Sequence, residues 1–141
     1  MKAPHVCILQ TSFAKREDTV AFLKEKVPGV RVEFITDSTL LNDIRANGGP
    51  TQAVIDRMTL YAKAAAETGA IVTAENHNVI NGLGSAVAEV VVQNCPVPME
   101  IVGIQDRFGE SGDPELLYRD HGMDVDSIVA KAKALVARKC K

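Results

Sequence analysis

The sequence predicts one three-layer α/β domain, a doubly wound parallel sheet with strand order of about 2-1-3-4. Two observations lead there. Short apolar runs at 5–10, 30–35, 71–74 and 99–104 alternate with longer segments of helical periodicity, and each run opens into polar residues, as buried parallel strands do where they enter loops. The resulting order β, α, β, α, α, β, α, β, α requires right-handed crossovers and helices on both faces of the sheet.

The first strand, His5 to Gln10, ends at Thr11 and Ser12. A helix over 16–26 carries Val20, Phe22 and Leu23 among charges and is stopped by Pro28-Gly29. Residues 30–35 alternate Val30, Val32 and Phe34 with Arg31 and Glu33, the pattern of a strand near an edge with one wetter face. Leu40, Leu41 and Ile44 suggest a short helix, broken at Asn47-Gly48-Gly49-Pro50. Thr51 can cap the next helix, where Val54, Met58, Tyr61 and Ala65 share a face before Gly69 ends it. The third strand, 71–74, leaves through Glu75-Asn76-His77, and Gly82-Leu83-Gly84-Ser85 opens a helix bearing Ala86, Val87, Val90 and Val91. After the fourth strand, 99–104, Asp113-Pro114 starts a short helix that Gly122 stops. Asp124 caps the last helix, with Val125, Ile128, Val129, Ala132, Leu135 and Val136 in one apolar stripe.

Composition narrows the function classes. With 46% hydrophobic and 24% charged residues the chain can bury a core, and with only two Tyr, four Phe and no Trp that core must be aliphatic. A formal charge of −2 without a basic stripe argues against nucleic acid as a partner. The N-terminal stretch does not read as a signal peptide and no apolar run is long enough to span a membrane, so a cytoplasmic protein is expected. Cys7, Cys95 and Cys140 show no paired spacing and read as reduced thiols. His5, His77 and His121 lie far apart, so no metal site is expected.

A ligand site in such a sheet belongs beyond the carboxyl ends of the strands, where the strand order reverses. That point falls between the first and third strands. It gathers Thr11 and Ser12 with Glu75, Asn76 and His77, and the neighbouring exits add Asp37 and Asp106. Gly82, Gly84 and Ser85 would offer N–H groups at a helix start to an anion or a carboxylate, although the dinucleotide fingerprint is incomplete at Val87. The competing reading is that these glycines only permit a tight turn and close packing. His77 is the one candidate general base, set against the commoner role of ordering a loop.

Two resemblances follow. Gln10-Thr11-Ser12, Asp37-Ser38-Thr39-Leu40-Leu41, Asn47-Gly48-Gly49-Pro50-Thr51 and Arg57-Met58 through Ala70 resemble the first half of an aspartate/glutamate/hydantoin racemase-type domain, over residues 1–70. IVTAENHNVINGLGSAVAEVV and then DRFGESGDPELL are similar to the C-terminal domain of transketolase, over residues 71–141. The racemase resemblance implies two catalytic cysteines. The first would fall at or beside His77, and the second lobe is missing, so racemase activity is expected to be absent and only Thr11 and Ser12 carry over. The transketolase resemblance implies a packing module outside the thiamine diphosphate site, which belongs to two preceding domains, so no cofactor follows from it.

The sequence is therefore read as a chimera of two flavodoxin-like fragments, engineered or recombined, with a seam near Ala70 and no selected catalytic function. Two alternatives stand beside it. One is a small anion- or carboxylate-binding module with its site at the ends of strands 1 and 3, and the other is a domain that dimerises.

Overall fold

A central strand paired on both sides organises the molecule. The computed structural model describes residues 3–10, 15–49 and 51–139; Thr11, Ser12 and Pro50 lie outside them. The elements are β1 (His5–Gln10), α1 (Arg16–Lys26), β2 (Arg31–Thr36), α2 (Leu40–Ala46), α3 (Gln52–Thr68), β3 (Ile71–Asn78), α4 (Leu83–Asn94), β4 (Met99–Ile104), α5 (Pro114–Asp120) and α6 (Val125–Lys139). All strand pairs are parallel and the order is β2-β1-β3-β4, as the sequence predicts.

Strand alternation divides the core into two layers. Val6 and Ile8 of β1 and Val72 and Ala74 of β3 pack with Leu23 of α1 and with Ile128, Ala132 and Leu135 of α6. Cys7, Leu9 and Ile71 point the other way, onto Val54, Tyr61 and Ala65 of α3 and Leu83, Val87 and Val91 of α4. β2 is an edge strand with no fully buried residue. Its register with β1 runs without interruption from His5 opposite Arg31 to Gln10 opposite Thr36.

The helix ends obey local chemistry. Thr51 Oγ1 accepts the Val54 N–H, Asp113 accepts those of Glu115 and Leu116, and Asp124 accepts that of Ser127. Gly69 takes a φ of 68° at the end of α3, a left-handed backbone that glycine adopts at little cost. Among the described residues no helix is long and apolar enough to cross a membrane.

One boundary differs from expectation. β3 does not end at Ala74 but continues to Asn78, so Glu75, Asn76 and His77 belong to the strand rather than to its exit. Ala74 stands opposite Val102 of β4 and Asn78 opposite Ile104, which leaves those three residues facing Gly103 alone. This is a β-bulge, invisible to sequence periodicity because it depends on the partner strand. Gly103 makes it fit: a Cβ there would lie 2.9 Å from Glu75 Cγ and from Val79 Cγ1.

Candidate functional site

The carboxyl end of β3 carries most of the residues singled out from the sequence, and the bulge decides how they are used. Glu75 is wholly buried. Its side chain turns to the start of α4, where Oε2 accepts the Leu83 N–H at 2.7 Å and Oε1 accepts the Gly84 N–H at 2.8 Å. Burial raises the Glu75 carboxyl above its ordinary range, and the two N–H groups and nearby His77 offset only part of that.

Gly82 and Gly84 therefore do not present free N–H groups to an outside anion: the chain's own carboxylate occupies the helix start. An anion approaching this helix start would meet Glu75. The glycines serve closeness instead. A Cβ on Gly82 would overlap Glu75 Oε2 and lie 2.5 Å from the Asn78 carbonyl oxygen, and one on Gly84 would lie 2.5 Å from Ile101. Ser85 Oγ donates to the Val79 carbonyl at 2.7 Å, a turn-closing bond.

His77 is half-buried, and its ring is held at both nitrogens. Nδ1 lies 3.0 Å from the Asn78 carbonyl oxygen, which only accepts, so Nδ1 carries the proton. Nε2 lies 3.1 Å from Arg45 Nη2, which only donates, so Nε2 is the acceptor. Arg45 thus engages the Nε2 side of the ring, and among the described residues no carboxylate hydrogen-bonds to either ring nitrogen to orient it as a base. Asn76 is exposed. Thr11 and Ser12 lie outside the described residues.

A second polar cluster stands at the end of β2, and of its members only Asp37 is marked out by the sequence. The Asp37 carboxylate accepts the Thr39 and Leu40 N–H groups, each at 3.0 Å, and the Tyr61 hydroxyl. Arg57 lies 3.5 Å from Asp37 Oδ2 and 2.5 Å from Asp43 Oδ2. Burial pushes the Asp37 carboxyl up, but the Tyr61 hydroxyl, the two N–H groups and Arg57 together hold it below its ordinary range. Burial and the bond to Asp37 raise the Tyr61 phenol. This cluster ties α2 to α3 and leaves Asp37 no open coordination for a ligand.

Asp106, at a φ of 51°, accepts from Asn78 Nδ2 at 3.2 Å and joins the β3 and β4 exits. Cys7 is wholly buried, with its thiol pushed up to about 12 by burial and by Glu33. Cys95 Sγ donates to the Ala62 carbonyl at 2.8 Å. Among the described residues no group of His, Cys, Asp and Glu could hold a metal ion. A cleft of about 840 Å³ lies between α1, α5 and the start of α6, lined in part by Asp18, Phe22, Glu115, Tyr118 and Asp126, and it includes none of the sequence-predicted site residues. Of its carboxylates, Asp18, Glu115 and Asp126 sit in the first turns of their helices, where they complement the helix dipoles.

Comparison with known proteins accounts for this pattern. The model of the transketolase C-terminal domain matches residues 50–128. The chain is 48% identical over 77 residues to a 6-deoxy-6-sulfo-D-fructose transketolase subunit of Clostridium sp. (strain MSTE9), covering 55% of this chain and 24% of that one. It is 38% identical over 76 residues to an apulose-4-phosphate transketolase subunit of Phocaeicola vulgatus, covering 54% of this chain and again 24% of that protein. A 1-deoxy-D-xylulose-5-phosphate synthase of Syntrophotalea carbinolica is 31% identical over 105 residues, covering 69% of this chain and 17% of the relative. The chain thus spans a quarter or less of the length of these relatives.

A solved structure described as a split gene transketolase, inactive beta4 tetramer, superposes with a TM-score of 0.74 at 30% identity over 98% of this chain and 41% of its own. Both the family match, which begins at residue 50, and this superposition cross the seam near Ala70. The transketolase likeness thus extends to both sides of that position, and the comparisons show neither a racemase segment nor a fusion. With more than half of its length matched, the chain belongs to the transketolase C-terminal domain family.

Proposed function

We propose that this domain serves as the C-terminal packing and assembly module of a transketolase-type enzyme and contributes no reacting group of its own. The observation that carries this reading is the filled strand end. At the point where such a sheet ordinarily binds ligand, the buried Glu75 carboxylate closes the start of α4, and Arg45 engages the His77 lone pair. The relatives that are named as transketolase subunits, and the tetramer named in the structural match, support an assembling role.

The reading is tested on the chain itself. Given thiamine diphosphate, magnesium, a ketose donor and an aldose acceptor, it should show no ketol transfer above buffer. Sedimentation velocity should show self-association that rises with concentration. Turnover by the chain alone, or a monomer at every concentration up to several hundred micromolar, would overturn the proposal.

A further inference from the structure

The two edges of the sheet are finished differently. At β4 the Ile101 carbonyl, which turns away from β3, accepts Lys131 Nζ at 3.0 Å, and Glu100 beside it pairs with Lys131 and Arg138, so α6 closes that edge. At β2 the edge is open. The Arg31 N–H donates to the Pro4 carbonyl and the Asp37 N–H to that of Gln10, so by alternation the odd-numbered residues bond to β1 while Val32 and Phe34 turn their N–H and C=O groups outward. Among the described residues no second strand pairs with that edge.

An open edge is a template for another strand, and charges placed on it commonly keep strands away. On β2 the charges alternate in sign. Val30, Val32 and Phe34 pack into the layer of α1 and α6, and Arg31 and Glu33 stand exposed on the opposite face. Among the described residues Arg31 forms no ion pair. Glu33 is half-exposed and lies 3.5 Å from His5 Nε2 through Oε1, which leaves Oε2 open.

A second copy that meets this edge about a two-fold axis runs antiparallel to it, and the outward groups permit registers two residues apart. With Val32 opposite its own counterpart, Arg31 faces the partner's Glu33 and Glu33 faces the partner's Arg31, at the closer, non-hydrogen-bonded spacing of about 4.5 Å between Cα atoms. On the other face Phe34 meets the partner's Val30. Sliding two residues one way sets Glu33 against the partner's Glu33, and sliding two the other way sets Arg31 against the partner's Arg31. Like charges directly opposite are destabilising, so of these three registers only the first is favoured.

We propose that β2 is the edge through which this chain self-associates: two copies pair antiparallel with Val32 on the two-fold axis and Arg31 bonded to the partner's Glu33, so that two four-stranded sheets become one. The inference rests on the assembly reading and names its surface and its partner, a second copy of this chain.

Sedimentation velocity on charge-reversed chains tests it. Arg31→Glu and Glu33→Arg should each weaken self-association about tenfold or more, since each sets like charges opposite at two points, while circular dichroism and melting stay as in the parent. Mixing the two variants should restore association, because every reversed charge then meets its opposite, and the chain carrying both substitutions should self-associate as the parent does. Amide exchange read by NMR should slow at Val32 and Phe34 as concentration rises, and not at Glu33. Undiminished association in both single variants would place the interface elsewhere and overturn this proposal while leaving the assembly reading intact. Failure of the mixture to recover association would overturn it too. A parent chain that stays monomeric at every concentration would overturn both.

Discussion

At Glu75 a single carboxylate replaces solvent at the start of α4, and its removal should be felt in two ways. Glu75→Gln keeps the volume but leaves one of the two N–H groups facing an amide NH2, so unfolding in denaturant should show a loss of about 1–3 kcal/mol. The pH dependence has a definite sign. The folded-state pKa lies above the unfolded value, so the native state holds the proton more tightly and stability falls as pH rises from about 4.5 through the folded pKa. Asp37 acts oppositely. Its lowered pKa gives stability that is present above about 3.8 and is lost as pH falls through the folded value. Melting curves from pH 3 to 7 should show Glu75→Gln gaining on the parent as pH rises, and Asp37→Asn closing its deficit toward the acid end.

The polarity of Glu75-Asn76-His77 was readable, but its use was not. In a sequence a carboxylate after an apolar run signals solvent, because charged residues are seldom fully buried without a partner. Here the partner is the backbone of a helix eight residues on, and glycine is the sole trace of it in the sequence. Arg45 was equally silent: its place in the last turn of α2 already explains a cation by the helix dipole.

At the scale of elements, the bulge in β3 and the glycine opposite it form one unit. Gly103→Ala would set a methyl 2.9 Å from Glu75 Cγ and 3.0 Å from the His77 carbonyl oxygen. Overpacking of this kind costs about 1–3 kcal/mol. The variant should unfold at correspondingly lower denaturant, and the His77 ring resonances should move with it. The capping bonds behave more simply. Asp124→Ala should cost about 1 kcal/mol by loss of the bond to Ser127 at the start of α6, the helix whose Ile128, Val129, Ala132, Leu135 and Val136 fill one layer of the core. The caps at Thr51, Asp113 and Asp124 were all legible, since a cap is a local bond between neighbours in sequence. The Asp37, Tyr61 and Arg57 cluster was not, since it joins residues up to 24 positions apart through the fold.

For the whole molecule, the strand order was legible because few topologies satisfy right-handed crossovers with this alternation of elements. The racemase resemblance rests on features of the same kind. The segment before Ala70 contains the strands, turns and caps that any doubly wound half-domain needs, and such features identify an architecture rather than an ancestry. The surface follows its own rule. Phe108 is 97% exposed, so Phe108→Ser should change unfolding free energy by no more than about 0.5 kcal/mol. Chemical denaturation of the two chains in parallel checks this.

The central position of β1 has one more consequence, for Cys7. Its sulfur is sealed under the layer formed by α3 and α4, and a thiol pushed up to about 12 offers almost no thiolate to an alkylating reagent at neutral pH. To react it must lose the α3 and α4 layer that covers it, which packs on Leu9 and Ile71 as well, and fraying at an edge of the sheet does not achieve that. Iodoacetamide capture at Cys7, read by mass spectrometry, should therefore run at the rate of global unfolding, so that the chain carries its own clock for the lifetime of the native state.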